Sequence, residues 1–137
     1  MKLMLVLFLP IFTHAQPFAA MALSPTSAEI QAGYLYRGYE STLLYRSAFY
    51  QAYLPSILAV SVGAKIKVDE YYLTPSIGVA RYRISTYDKE GEPMPEIAIL
   101  PSFRFEVGKD YNIGSAFVLA GFCRKLYAEI GIKCYIK

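Results

Sequence analysis

The residues able to do chemistry recur at short, even spacings among apolar neighbours. Glu29 and Gln31, Lys65 and Lys67, and Arg104 and Glu106 are each two apart; Glu129 and Lys133 are four apart, and Arg46 stands alone. Even spacing places such residues on one face of a β-strand. Two chemistries fit the set: a packed interior of paired charges, or a polar ligand site. Arg81 and Arg83, also two apart, can both offer charge-assisted hydrogen bonds to a phosphate. The single histidine is His14, close to the N-terminus. If that segment is removed, Ser-His catalysis and His-ligated metal go with it, and neither an enzyme nor a cofactor is expected. The two cysteines, Cys123 and Cys134, lack CxxC metal spacing.

The elements that position these groups read as strands. From Leu126 to Ile136, Leu126, Ala128, Ile130, Ile132, Cys134 and Ile136 alternate with Tyr127, Glu129, Gly131, Lys133 and Tyr135. Leu58–Val68 is nearly as regular. Further alternating stretches are Ala28–Tyr36, Leu43–Tyr53, Tyr71–Ile84, Ile97–Val107 and Ile113–Cys123, with Gln16–Ser24 as an eighth strand. Turns are expected at Arg37–Ser41, Asp69-Glu70, Gly108–Asp110 and Arg124-Lys125. Ser85–Glu96, containing Asp88, Lys89, Glu90 and Glu92, is the one plainly solvated loop. Strands of about ten residues match a tilted membrane crossing. The fold expected is therefore all-β: an up-and-down antiparallel meander closed into a small transmembrane barrel of eight strands.

Lys2, the apolar run Leu3–Phe12 and the small residue Ala15 describe a secretory signal peptide over residues 1–15, or 1–20 with the alternative cleavage site. The mature residues 16–137 form one domain. Without Lys2 the chain carries 13 basic and 11 acidic residues, a balance that gives no reason to expect nucleic acid. Thirteen Tyr, eight Phe and dispersed apolar residues suit a barrel whose outer face meets lipid and whose aromatic rings sit at headgroup level.

The signal, the meander and the Tyr-rich strand ends resemble the small outer-membrane β-barrels of the OmpX and OmpA-barrel type. Such barrels commonly end in an aromatic residue, whereas this chain ends Tyr135-Ile136-Lys137. The resemblance implies the bacterial outer membrane, contact with lipid and lipopolysaccharide, and a structural or surface-interaction role. The barrel enzymes of this kind that act on lipid A rely on His. In an eight-stranded barrel the polar set Glu29, Gln31, Arg46, Lys65, Lys67, Arg104, Glu106, Glu129 and Lys133 would fill the lumen, leaving no wide pore. Arg81 and Arg83 would face outward near the outer rim, and Asp88, Lys89, Glu90 and Glu92 would form an extracellular loop open to an unknown surface partner. Cys123 and Cys134 would be far apart on one hairpin, hence free thiols. Pro75 and Pro101, inside proposed strands, are read as strand starts or bulges near the rim.

Two other readings fit parts of the pattern. One is a soluble periplasmic or secreted barrel enclosing a small apolar ligand. The other is an inner-membrane protein built on a helix at Ser47–Ala64, eighteen residues without a charge.

Overall fold

Alternation becomes wall wherever each strand finds an alternating partner on both sides. The computed structural model describes residues 15–49, 56–87, 89–123 and 125–136. Except for Ala15, the expected signal peptide lies outside these residues. The strands are β1 (Gln16–Leu23), β2 (Ser27–Tyr36), β3 (Tyr39–Ala48), β4 (Ser56–Ala64), β5 (Ile66–Val68), β6 (Tyr71–Tyr87), β7 (Pro93–Tyr111), β8 (Gly114–Cys123) and β9 (Lys125–Tyr135). Except for β4 and β5, neighbours in the chain pair antiparallel; β4 pairs with β6, and β1 pairs with β9 to close the sheet. Segments β4 and β5 sit on β6 in a single register, Gly63↔Ser76 and Ile66↔Leu73, so they are two parts of one stave. The result is a closed, eight-stave, antiparallel meander barrel.

Pro75 explains the break in that stave. The Lys65 amide donates to the Gly38 carbonyl at 2.6 Å, towards β3. Backbone groups of successive strand residues point to opposite neighbours. The polar groups of Ala64 therefore face β6, where the shared register places Pro75 and no N–H is on offer. Neither strand proline is a strand start or a bulge. The β6–β7 register runs through both without offset, at Pro75↔Phe105 and Val79↔Pro101. Pro101 lies just past the β7–β8 pairs of the described residues, which begin at Phe103↔Phe122.

The turns are tighter than the sequence suggested. At Arg37-Gly38 both residues have positive φ (49° and 84°), a two-residue turn whose twist matches the flanking strands, so Tyr39, Glu40 and Ser41 are already strand. Gly108–Asp110 is strand as well, and the chain reverses instead at Asn112-Ile113. The Ser85–Glu96 loop contracts because pairing continues to Tyr87↔Pro93. Ser47-Ala48 and Ser56–Ala64 are strand, the residues between Phe49 and Ser56 lie outside the described set, and no described helix is long and apolar enough to cross a membrane.

Stepping from pair to pair around the wall gives its stagger. Starting at Ile99, the path runs through Arg81, Leu58, Tyr45, Ile30, Met21, Ile132 and Ala116 and re-enters β7 at Lys109, ten residues further on. Eight staves with that stagger tilt about 40° from the barrel axis. Side chains then separate cleanly: apolar ones outward, a mixed polar and aromatic set into the lumen.

Candidate functional site in the lumen and on the outer face

The lumen is built from rings laid over glycines. Phe18 faces Gly33, Tyr72 faces Gly108, Phe117 faces Gly131 and Tyr127 faces Gly121, each pair directly opposite across two strands. A Cβ at Gly108 would lie 2.4 Å from the Tyr72 hydroxyl, and one at Gly121 would lie 2.3 Å from the Tyr127 ring. These glycines are ring seats, and that is why Gly108 does not mark a turn.

Two charge clusters occupy the space between the rings. In the first, Arg104 Nη2 contacts Glu29 Oε1 at 2.8 Å, and Gln31 Nε2 donates to the same oxygen at 2.7 Å. Ser27 Oγ donates to Glu129 Oε1 at 2.7 Å. Arg46 Nε lies 3.4 Å from Glu129 but is not aligned for a hydrogen bond, and its guanidinium stacks 3.8 Å from the Tyr127 ring centre. In the second cluster, Lys133 Nζ bridges Glu40 (2.8 and 2.9 Å) and Glu106 (2.9 Å). Tyr72 donates to Glu106 at 2.7 Å. Lys65 closes the end where β1 begins and β9 finishes, bonded to Asp110 at 2.7 Å and to the Tyr135 hydroxyl, 4.0 Å above the Tyr72 ring centre. Buried charges persist where they are paired and hydrogen-bonded in this way. Beside the second cluster is a polar cavity of ≈ 10 Å³, lined by Thr42, Thr74, Ser76 and Arg104 among others, about the space of one water.

Of the sequence-predicted set, Glu29, Gln31, Arg46, Arg104, Glu106, Glu129 and Lys133 are buried in the lumen, and the Lys65 side chain is 4% exposed. Lys67 is a correction: its side chain is 76% exposed and only 4.0 Å contact with Asp110 ties it to the wall. It lies on β5, beyond the last β3–β4 pair, Tyr39↔Ala64, so no neighbouring stave encloses it. Glu40, Tyr72, Tyr127 and Asp110 were missed. Glu40 was legible, because Glu40, Thr42, Leu44 and Arg46 share one parity along β3.

Arg81 and Arg83 are exposed on the outward face of β6, beside Leu58 and Ile99 and beside Ser56 and Ile97 respectively. Lys89, Glu90 and Glu92 are exposed at the tip of the β6–β7 hairpin, while Asp88 lies outside the described residues. Cys123 is buried among Leu44, Ile57 and Tyr82; Cys134 is exposed on the outer wall, and both are free. Among the described residues, no group of three or more His, Cys, Asp or Glu could hold a metal ion.

A barrel of this fold has counterparts among solved structures. The chain matches the N-terminal β-barrel domain of Pseudomonas aeruginosa OprF with a TM-score of 0.66 and 11% identity, over 89% of this chain and 96% of that one. The fold resembles the small outer-membrane barrels. Neisserial surface protein A matches with a TM-score of 0.52 and 16% identity, over 89% of this chain and 94% of the other. A de novo designed barrel, TMB2.3, matches equally well, at 0.52 and 16%, over 90% and 94%. No family model matches the chain, and no curated protein matches it by sequence.

Proposed function

We propose that this protein is a bacterial outer-membrane barrel of structural or surface-interaction type, with no catalytic task and no wide channel. The observation that carries this reading is the outward face. It is apolar on every stave, with Tyr34, Tyr39, Tyr71 and Tyr111 exposed around the end where β1 begins and β9 finishes. Along β6, Arg81 is ten residues above Tyr71, about 25 Å along the axis at the wall's tilt. That is the height of the apolar band of an outer-membrane barrel. A soluble barrel around an apolar ligand needs the reverse polarity, and this lumen is lined with paired charges.

In this reading the Tyr-ringed end faces the periplasm and the β6–β7 hairpin faces out. A signal peptide removed after Ala15 leaves all of β1 in the wall; removal after Ala20 would take five of its eight residues. Arg81 and Arg83 stand at the outer headgroup level, where lipopolysaccharide phosphates lie, and any protein partner meets the exposed Lys89–Glu92 tip. The test is electrophoretic mobility of the membrane-extracted protein, boiled against unboiled. A mobility shift in protein that needs detergent is the expected result. Protein that stays soluble without detergent and shows no shift would overturn the reading.

A further inference from the structure

The outer wall is not uniformly convex. Between two outward rows of side chains runs a groove of ≈ 650 Å³. One row is Met21, Ile132, Ala116, Lys109 and Tyr71, consecutive partners across β1, β9, β8, β7 and β6. The other begins at Leu23 and Ile130. The groove exists because the first row dips at Ala116, whose neighbours Ile132 and Lys109 are larger, while the residues between the rows turn their side chains into the lumen and present only backbone to the outer wall. Four interstrand spacings make it roughly 19 Å long. One leaflet of hydrocarbon is about 15 Å deep, so an acyl chain lying obliquely along the wall fits its length.

The lower end of the groove is charged. Lys109 closes it and is paired with Glu70 in the adjoining turn, with the ammonium 5.7 Å from the Tyr71 ring centre. Both charges keep bonding capacity: the ammonium has further N–H donors and the carboxylate a second oxygen. A neighbouring groove of ≈ 460 Å³ over Ala32 and Gly33 is lined by no charged side chain.

We propose that the Ala116 groove seats one phospholipid with a phosphoethanolamine headgroup, its phosphate on Lys109, its ammonium on Glu70 and one acyl chain along the Ala116 row. The complementarity is between two dipoles, a Lys–Glu pair and a phosphate–ammonium pair at the same membrane level. A purely anionic headgroup satisfies Lys109 and is repelled by Glu70. A choline headgroup satisfies the phosphate contact but has no N–H to give Glu70. The proposal rests on the membrane-barrel reading above.

The experiment is native mass spectrometry of the detergent-solubilised barrel titrated with dipalmitoyl phosphatidylethanolamine, phosphatidylglycerol or phosphatidylcholine. Each sample is first checked for the heat-dependent mobility shift. A missing shift in the wild type counts against the barrel; a shift with no lipid preference counts against the groove alone. The expected result is one phosphatidylethanolamine retained in preference to the other two. Ala116→Phe, which fills the groove from outside, lowers that retention roughly tenfold, about 1.4 kcal/mol, while Ala32→Phe in the uncharged groove does not. Glu70→Lys, in an exposed turn, transfers the preference to phosphatidylglycerol and keeps the test decisive if Ala116→Phe does not fold. Equal retention of the three lipids, a wild-type preference for phosphatidylglycerol, or no change in Glu70→Lys would overturn the proposal.

Discussion

Lys133 is where one substitution says most about the lumen. Its ammonium serves two carboxylates and lies 4.7 Å from the centre of the Phe18 ring. Lys133→Met keeps the length and removes the charge, leaving Glu40 and Glu106 facing each other without a cation. The expected loss is about 3–5 kcal/mol, the cost of breaking a buried pair from one side. The triple change Lys133→Met, Glu40→Gln, Glu106→Gln is expected to recover most of it, because no charge is then stranded. Urea titration of the heat-resistant form, reconstituted in detergent, measures both. Gly108→Ala makes a second case, pressing a methyl against Tyr72 and the Ala116 carbonyl. Overpacking of this kind costs about 1–3 kcal/mol in the same titration. Much of this was legible in the sequence, since parity alone put seven of the nine predicted polar residues on the face that the structure buries. Lys67 misled because parity assigns a face but does not say where the enclosing neighbour stops.

At the scale of elements, alternation marked every stave, but only register revealed where each one ended. The polar stretch Asp88–Pro93 looked like a long loop because Asp, Lys, Glu, Gly and Pro are poor strand formers. Pairing of Ile84–Tyr87 with Pro93–Glu96 carries the hairpin four residue pairs past the last β4 pair, Ser56↔Arg83. That extension adds little to the wall beneath it. Replacing residues 85–95 with Asn-Gly, a two-residue hairpin turn, is expected to leave the mobility shift intact and the urea midpoint nearly unchanged. A large drop would mean that the hairpin braces the barrel. Pro75 was legible as an anomaly but not as a cause, because its effect falls on Ala64 in a different strand. Pro75→Ala is expected to supply the missing rung, about 0.5–1.5 kcal/mol, partly offset by the freer unfolded chain. The test is amide exchange at position 75: slow exchange reports the rung, and fast exchange would refute its placement towards β4.

For the whole molecule, the proposed outer-membrane reading makes depth in the membrane the organising variable, and it can be scanned along one stave. In that reading the outward Tyr71, Ile77 and Arg81 of β6 would stand at the lower interface, near the middle of the apolar band and at its upper edge. Ile77→Arg is expected to cost about 2–4 kcal/mol, the penalty for a cation at mid-depth, whereas Arg83→Leu falls within about 1 kcal/mol of neutral. Equal costs at both positions would place the band elsewhere. None of this axial arithmetic was available from sequence, because it needs the stagger, and the stagger is a property of closure.

Closure also leaves the two ends of the described wall side by side. The Ile136 amide donates to the Pro17 carbonyl at 2.9 Å, just below the six β1–β9 rungs. To the finished barrel the chain is effectively a ring, and the identity of its first strand is a fact of biosynthesis alone. A circular permutant that bridges Pro17 and Ile136 and opens at the β6–β7 tip would have the same rungs, lumen and belt. What it would change is the schedule. The natural order makes β1 early and its partner β9 last, so the seam stays open until the final strand arrives. Until then both edges are bare templates on which another chain can pair.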